Sequence, residues 1–152
     1  ISAGYFLTRN KNVKVYLFEP LPENISRLKT NLQGFESRYE LHEVAVGLEN
    51  GHADFGFEST GRYGGLESDL PKTIQVQVRK VEEIISSILE KEDHIDILKI
   101  DVEGLETAIV ESLSPDNLKN INRVYAETVY SGYLPGFDKE QYGEIVRFRK
   151  TS

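Results

Sequence analysis

Val13-Lys14-Val15-Tyr16-Leu17-Phe18-Glu19-Pro20 is a short apolar run that ends on a carboxylate and stops at a proline. An apolar run bounded by turn residues reads as a buried strand of a parallel sheet. In open α/β sheets, ligands bind outside the carboxyl ends of the strands. Glu19 stands at such an end, where a carboxylate can accept two hydrogen bonds from a ribose diol. The run therefore points to a nucleoside-type cofactor, against the plainer alternative of a strand that happens to finish in a solvated Glu.

Outward from this strand, βαβ spacing continues in both directions. Ile1 to Thr8 reads as the tail of a helix. Pro22 suits a first helical position, and Ile25, Leu28 and Leu32 mark one face of a helix that Gly34 stops. Tyr39 to Val46 reads as a second strand. Asn50-Gly51 predicts a tight hairpin turn, with Ala53–Phe57 pairing back antiparallel. Ser59–Leu70 reads as loop, and Thr73–Val81 as a half-exposed strand from the alternation of Ile74, Val76 and Val78 with polar neighbours. Val81, Ile84, Ile85, Ile88 and Leu89 share a helical face, and Lys91-Glu92-Asp93 reads as a charged loop. Strands follow at Ile95–Asp101 and Ile121–Thr128, with a short helix from Gly104 to Leu113 between them. Ser131–Phe137 reads as a Gly/Pro-rich loop and Tyr142–Arg149 as a final strand. The fold class is α/β: a mostly parallel sheet with an antiparallel hairpin insertion.

Three of these strands end in acids: Glu19, Asp101 with Glu103 just beyond, and Glu127. Right-handed crossovers give parallel strands a shared carboxyl edge, so the three are expected along one rim. Gly104 lets the backbone approach closely at the head of the following helix. Lys99, inside an apolar strand, reads either as an edge lysine with its stem laid on apolar surface or as a partner for a neighbouring carboxylate. The three histidines, His42, His52 and His94, show neither metal-ligand nor triad spacing.

Composition narrows the classes. A chain of 152 residues, 39% apolar and 28% charged, suits one soluble globular domain. Its net charge of -7 disfavours an extended nucleic-acid face. The apolar runs fall short of the roughly 20 residues that span a bilayer, and neither a membrane partner nor a secretory leader is expected, which leaves a cytoplasmic location as the expectation. With no cysteine, disulfides, thiol nucleophiles and zinc–thiolate sites are excluded. With no methionine either, the chain is expected to be part of a longer or processed one.

FEPLPENISRLKTNL (Phe18–Leu32) followed by DILKIDVEGLE (Asp96–Glu106) resembles the FkbM-type S-adenosylmethionine-dependent methyltransferases. Glu43-Val44-Ala45-Val46-Gly47 with Asn50-Gly51, and the Tyr125-Ala126-Glu127 strand end, resemble that family too. The resemblance runs from about Ile1 to Thr128. It implies a Rossmann-like class I methyltransferase fold over residues 1–152 as a single domain, with S-adenosylmethionine as cofactor. By position it implies Glu19, with Pro20 beside it, at the ribose hydroxyls. Glu43, Val44 and Ala45 would lie near the adenine, and Asp101 at the methionine or substrate side. It implies O-methylation of a hydroxyl or carboxyl on a small molecule or glycan. Asp101, Glu103 and Glu127 are then the candidates for the general base. Paired carboxylates also suit Mg²⁺, but no residue is assigned as a metal ligand. The family's N-terminal strand and Gly-rich loop around the methionine part of the cofactor have no counterpart here and are expected upstream of Ile1.

Two other classes compete. An NAD-dependent Rossmann-type oxidoreductase also uses an acid at a strand end for ribose; IDVEG (Ile100–Gly104) favours the methyl donor. A non-catalytic binding domain of the same fold is the third, with Tyr125, Tyr130, Tyr133 and Tyr142 as either partner surface, acceptor pocket or packing. Oligomeric state is not legible.

Overall fold

The computed structural model describes residues 2–57, 64–66 and 72–152. The chain divides into two compact units, one of residues 1–45 and 52–78, the other of 46–51 and 79–152.

In the first unit, helix α1 (Ser2–Arg9) buries Ala3 and Leu7 against Leu32, with Val15, Leu17 and Leu28 packed around them. Strand β1 (Val15–Phe18) lies parallel to β2 (Tyr39–His42), in register from Val15↔Tyr39 to Phe18↔His42. Parallel neighbours need a crossover, and helix α2 (Pro22–Asn31) supplies it, with Pro22 in its first turn. Gly34 follows at φ +92, and its N–H donates to both Glu36 carboxylate oxygens at 2.9 and 3.0 Å. The Arg38 guanidinium gathers carbonyls the helix end leaves open, donating to Leu7 O at 3.0 Å and also to Asn10 O and Val13 O. Strands β3 (Ala45–Gly47), β4 (Gly51–Phe57), β5 (Gly64–Leu66) and β6 (Lys72–Lys80) form a sheet in the order β3-β6-β4-β5, and the chain passes from one unit to the other within β3, between the first two residues of β4 and within β6. The alternation read from sequence sets its core: Val76 and Val78 are buried with Ala45, and Ile74, Phe55 and Leu66 pack on them.

In the second unit, helices α3 (Val81–Glu92), α4 (Glu106–Ser112) and α5 (Pro115–Leu118) accompany a sheet of β7 (Leu98–Ile100), β8 (Arg123–Ala126), β9 (Phe137–Tyr142) and β10 (Ile145–Lys150). The order is β7-β8-β10-β9. β7 and β8 are parallel, and β10 runs antiparallel to both β8 and β9. Ile100, Val124, Ala126, Val146 and Phe148 share the buried face with Ile85, Ile109 and Val110 of the helices. The opposite face carries Lys99, Tyr125, Arg147 and Glu140 in a line set by the strand register. From β9, the Lys139 ammonium donates to the carbonyls of Tyr130, Ser131 and Gly132 at 2.8–3.2 Å, which fixes the segment after β8.

The class is α/β, but the sheets are mixed. Among the described residues, β1 pairs with β2 alone, and only β7 and β8 are parallel in the second unit's sheet. The cause there is the two-residue Gly143-Glu144 connection, with Gly143 at φ +59, which admits only an antiparallel return. Other expectations are corrected locally. The strand foreseen over Tyr39–Val46 is two strands, broken where Glu43 turns outward and its carboxylate pairs with Lys29 at 2.9 Å. Asn50-Gly51 does not close a hairpin between β3 and β4, because β6 lies between them. Asn50 instead accepts the Lys80 N–H at 2.8 Å and donates to Glu83 at 2.9 Å, at the start of α3. Lys91 and Glu92 belong to α3, which ends at Asp93 with φ +61. The Ser59–Leu70 loop lies outside the described residues except for β5. β9 was not foreseen, because Asp138-Lys139-Glu140-Gln141 offers no apolar alternation.

Candidate functional site

Glu19 follows β1, and its N–H continues the parallel ladder by donating to His42 O at 3.1 Å. Its side chain is half-buried and folds back so that Oε1 accepts the Leu21 N–H at 2.9 Å. The intervening Pro20 has no N–H, so Leu21 is the first donor available. Asn24, in the first turn of α2, adds a side-chain hydrogen bond. Burial pushes the Glu19 carboxyl up from its ordinary range, and these two donors pull part of the way back. A carboxylate has about four lone-pair positions; with two donors engaged, acceptor capacity remains. Beside it the Phe18 and His42 rings stack at 4.9 Å, as the strand register requires. Glu43 is exposed, Val44 is buried, and Ala45 is buried in the small β-sheet core.

The second unit gathers the other acids. Ile100↔Ala126 pairing puts Asp101 and Glu127 side by side just past two parallel strands, and the Glu127 N–H donates to Ile100 O at 3.2 Å. Lys99 forms an ion pair with Asp101, so the partner reading of this lysine is the one the structure takes. The Asp101 charge is the main cause that raises the Glu127 carboxyl, with burial second. Glu103 is raised by burial first, then by the charges of Asp101, Glu106 and Glu127. Two carboxylates in one place resist being ionised together, and the pair holds a proton to higher pH than either alone.

Between Asp101 and α4 the backbone turns through Glu103 at φ +50 and Gly104 at φ +101. Glu106, 7% exposed, accepts the Val102 N–H at 3.2 Å on one oxygen and the Gly104 N–H at 2.9 Å on the other. Sequence reasoning quoted Glu106 without giving it a role. An acid in the first turn of a helix is commonplace, and only the turn geometry separates this one. Thr107 and Thr128 hydroxyls meet at 2.9 Å and tie α4 to the segment after Glu127.

Asp101, Glu103 and Glu127 are brought together, while Glu19 ends a strand of a separate two-stranded sheet in the other unit. Asp101, Glu103, Glu106 and Glu127 set four carboxylates beside the Lys99 ammonium, a setting that favours a cationic ligand. Among the described residues no three His, Asp or Glu side chains converge in a metal-holding arrangement. Nor is any described helix long and apolar enough to cross a membrane.

No curated protein and no solved structure matches the chain. The profile of the Methyltransferase FkbM domain matches residues 3–150, and so takes in both units and every residue discussed above. The two sequence segments that suggested this family house the Glu19 turn and the Asp101–Glu106 turn, and the chain belongs to the FkbM methyltransferase family.

Proposed function

We propose that this chain is an S-adenosylmethionine-dependent O-methyltransferase acting on a hydroxyl or carboxyl of a small molecule or glycan, with residues 1–152 serving as one domain of Rossmann-like class I type. The observation that carries the reading is Glu19: a half-buried carboxylate at the carboxyl end of a parallel strand, oriented by Leu21 and Asn24 with acceptor capacity to spare. Such a group suits a ribose diol, and Pro20 keeps it close to the strand. Glu43, Val44 and Ala45 are assigned to the adenine side, on the family resemblance.

When bound, the cofactor supplies an electrophilic methyl group on a sulfonium and leaves as a neutral thioether. Asp101, Glu103 and Glu127 offset the positive charge. The Asp101–Glu127 pair also takes the proton that a hydroxyl acceptor loses as its oxygen forms the new C–O bond. A carboxylate acceptor needs no such step, only in-line positioning. No residue is assigned to Mg²⁺, nucleic acid or a membrane surface. A cytoplasmic setting belongs to the same proposal.

Isothermal titration of the full-length protein with S-adenosylhomocysteine and with NAD tests it. S-adenosylhomocysteine is expected to bind and NAD not; the reverse would select the oxidoreductase reading, and binding of neither the non-catalytic one. Glu19→Ala is expected to weaken S-adenosylhomocysteine about 10–100-fold, the loss typical of a charged hydrogen bond. Unchanged affinity in that variant would remove Glu19 from the ribose.

A further inference from the structure

We propose that Glu106 is the positioning residue of the acid cluster: its buried carboxylate holds the Val102–Gly104 turn in a left-handed conformation and so fixes where Glu103 stands against Asp101 and Glu127. The proposal rests on the reading of that cluster as the acceptor side of a methyltransferase.

The geometry is specific. With Glu103 at φ +50, the N–H groups on either side of it, those of Val102 and Gly104, converge on one point, and such a concavity attracts an anion. Here the chain fills it with its own carboxylate, one oxygen to the Val102 N–H and the other to the Gly104 N–H. Glu103 is not a glycine, so its left-handed conformation is unfavourable unless the surroundings impose it. Glu106 is what imposes it. Released, Glu103 would relax toward φ below zero and its carboxylate would swing away from Asp101 and Glu127. Glu106 itself is 7% exposed and has both oxygens engaged by backbone N–H groups, so it acts through the turn rather than on a substrate. Filling the concavity has a second effect. Two N–H groups that would otherwise invite an anionic ligand are neutralised, and the edge keeps its preference for a cation.

Amide hydrogen exchange of the full chain, followed by NMR, tests this, with Glu106→Gln and Glu106→Ala beside wild type and Glu111→Gln as a control charge loss on the exposed side of α4. Glu106→Gln keeps one acceptor but presents an amide donor to the other N–H. Both Glu106 variants remove a charge, and that alone lowers the Glu103 midpoint, so the deciding readout is amide exchange at Val102 and Gly104, expected to speed by about 10-fold or more. Glu111→Gln is expected to leave that exchange unchanged. If Glu106→Ala does not fold, Glu106→Gln decides alone. Wild-type amide protection at Val102 and Gly104 in a folded Glu106 variant would overturn the proposal. Titration of wild type with S-adenosylhomocysteine tests the parent reading separately: its failure leaves the exchange result standing as a statement about the turn, and the two failures are told apart.

Discussion

Glu127 keeps its proton to higher pH than an isolated Glu because the Asp101 carboxylate faces it, and burial adds a smaller push. A carboxyl raised in the folded state binds its proton more tightly there than in the unfolded chain. The stability this contributes is present below the ordinary value of 4.5 and is lost as pH rises through the folded pKa. Above that window the repulsion is in full force. Glu127→Gln removes it, so the variant is expected to melt above wild type at pH 7, by no more than about 2–4 °C for so exposed a group, and level with it at pH 4. Melts at the two pH values check this; a gain of the same size at both would mean the Asp101 charge is not the cause. The same shift bears on chemistry. If the pair is the base, methyl transfer to a hydroxyl falls off on the acid side at a pH above 4.5. The identities of these acids were legible in the sequence because strands end in them. Their neighbours were not: Glu106 accepts two N–H groups only because the turn between them is left-handed, and no periodicity announces that.

At the scale of elements, the same dipeptide can serve two ends. Asn-Gly is a strong hairpin signal, yet Asn50 here spends its side chain on the head of α3, accepting from Lys80 and donating to Glu83. Asn50→Ala is expected to cost about 1 kcal/mol, the loss typical of a hydrogen bond; urea unfolding measures it. Asn50→Asp should recover little, since it loses the donor and sets a second carboxylate against Glu83. A loss near zero in Asn50→Ala would show that these two hydrogen bonds contribute nothing. Helices α2 and α3 and strands β6, β7 and β8 were legible because their apolar faces follow a period. β9 was not, since an edge strand needs no apolar face. Its Lys139 and Gln141 hold the backbone after β8 instead, and Gln141 joins Thr128 O to Gly143 O at 3.1 and 2.8 Å.

For the whole molecule, α/β class followed from alternating elements, whereas the way the strands are shared between sheets did not. Which strands become neighbours depends on pairings between distant segments, and local patterns carry no record of them. The division into units is of this kind. Val46 and Leu48 pack on the core of the second unit, far along the chain from the residues they touch, and Asn50 accepts the Lys80 N–H just before its first helix. A fragment of residues 79–152 is therefore expected to be less stable than the same fragment joined by a linker to Val46–Gly51. Circular dichroism melts of the two compare them directly, and equal midpoints would show that the six-residue segment contributes nothing.

That interlacing has an evolutionary side. Because each unit is stitched from two stretches of sequence, with residues 46–51 embedded in the span of the first unit and belonging to the second, neither can be duplicated, lost or exchanged by a single recombination event without taking part of the other with it. Glu19 and the Asp101 cluster, though housed in separate units, are in this way inherited together.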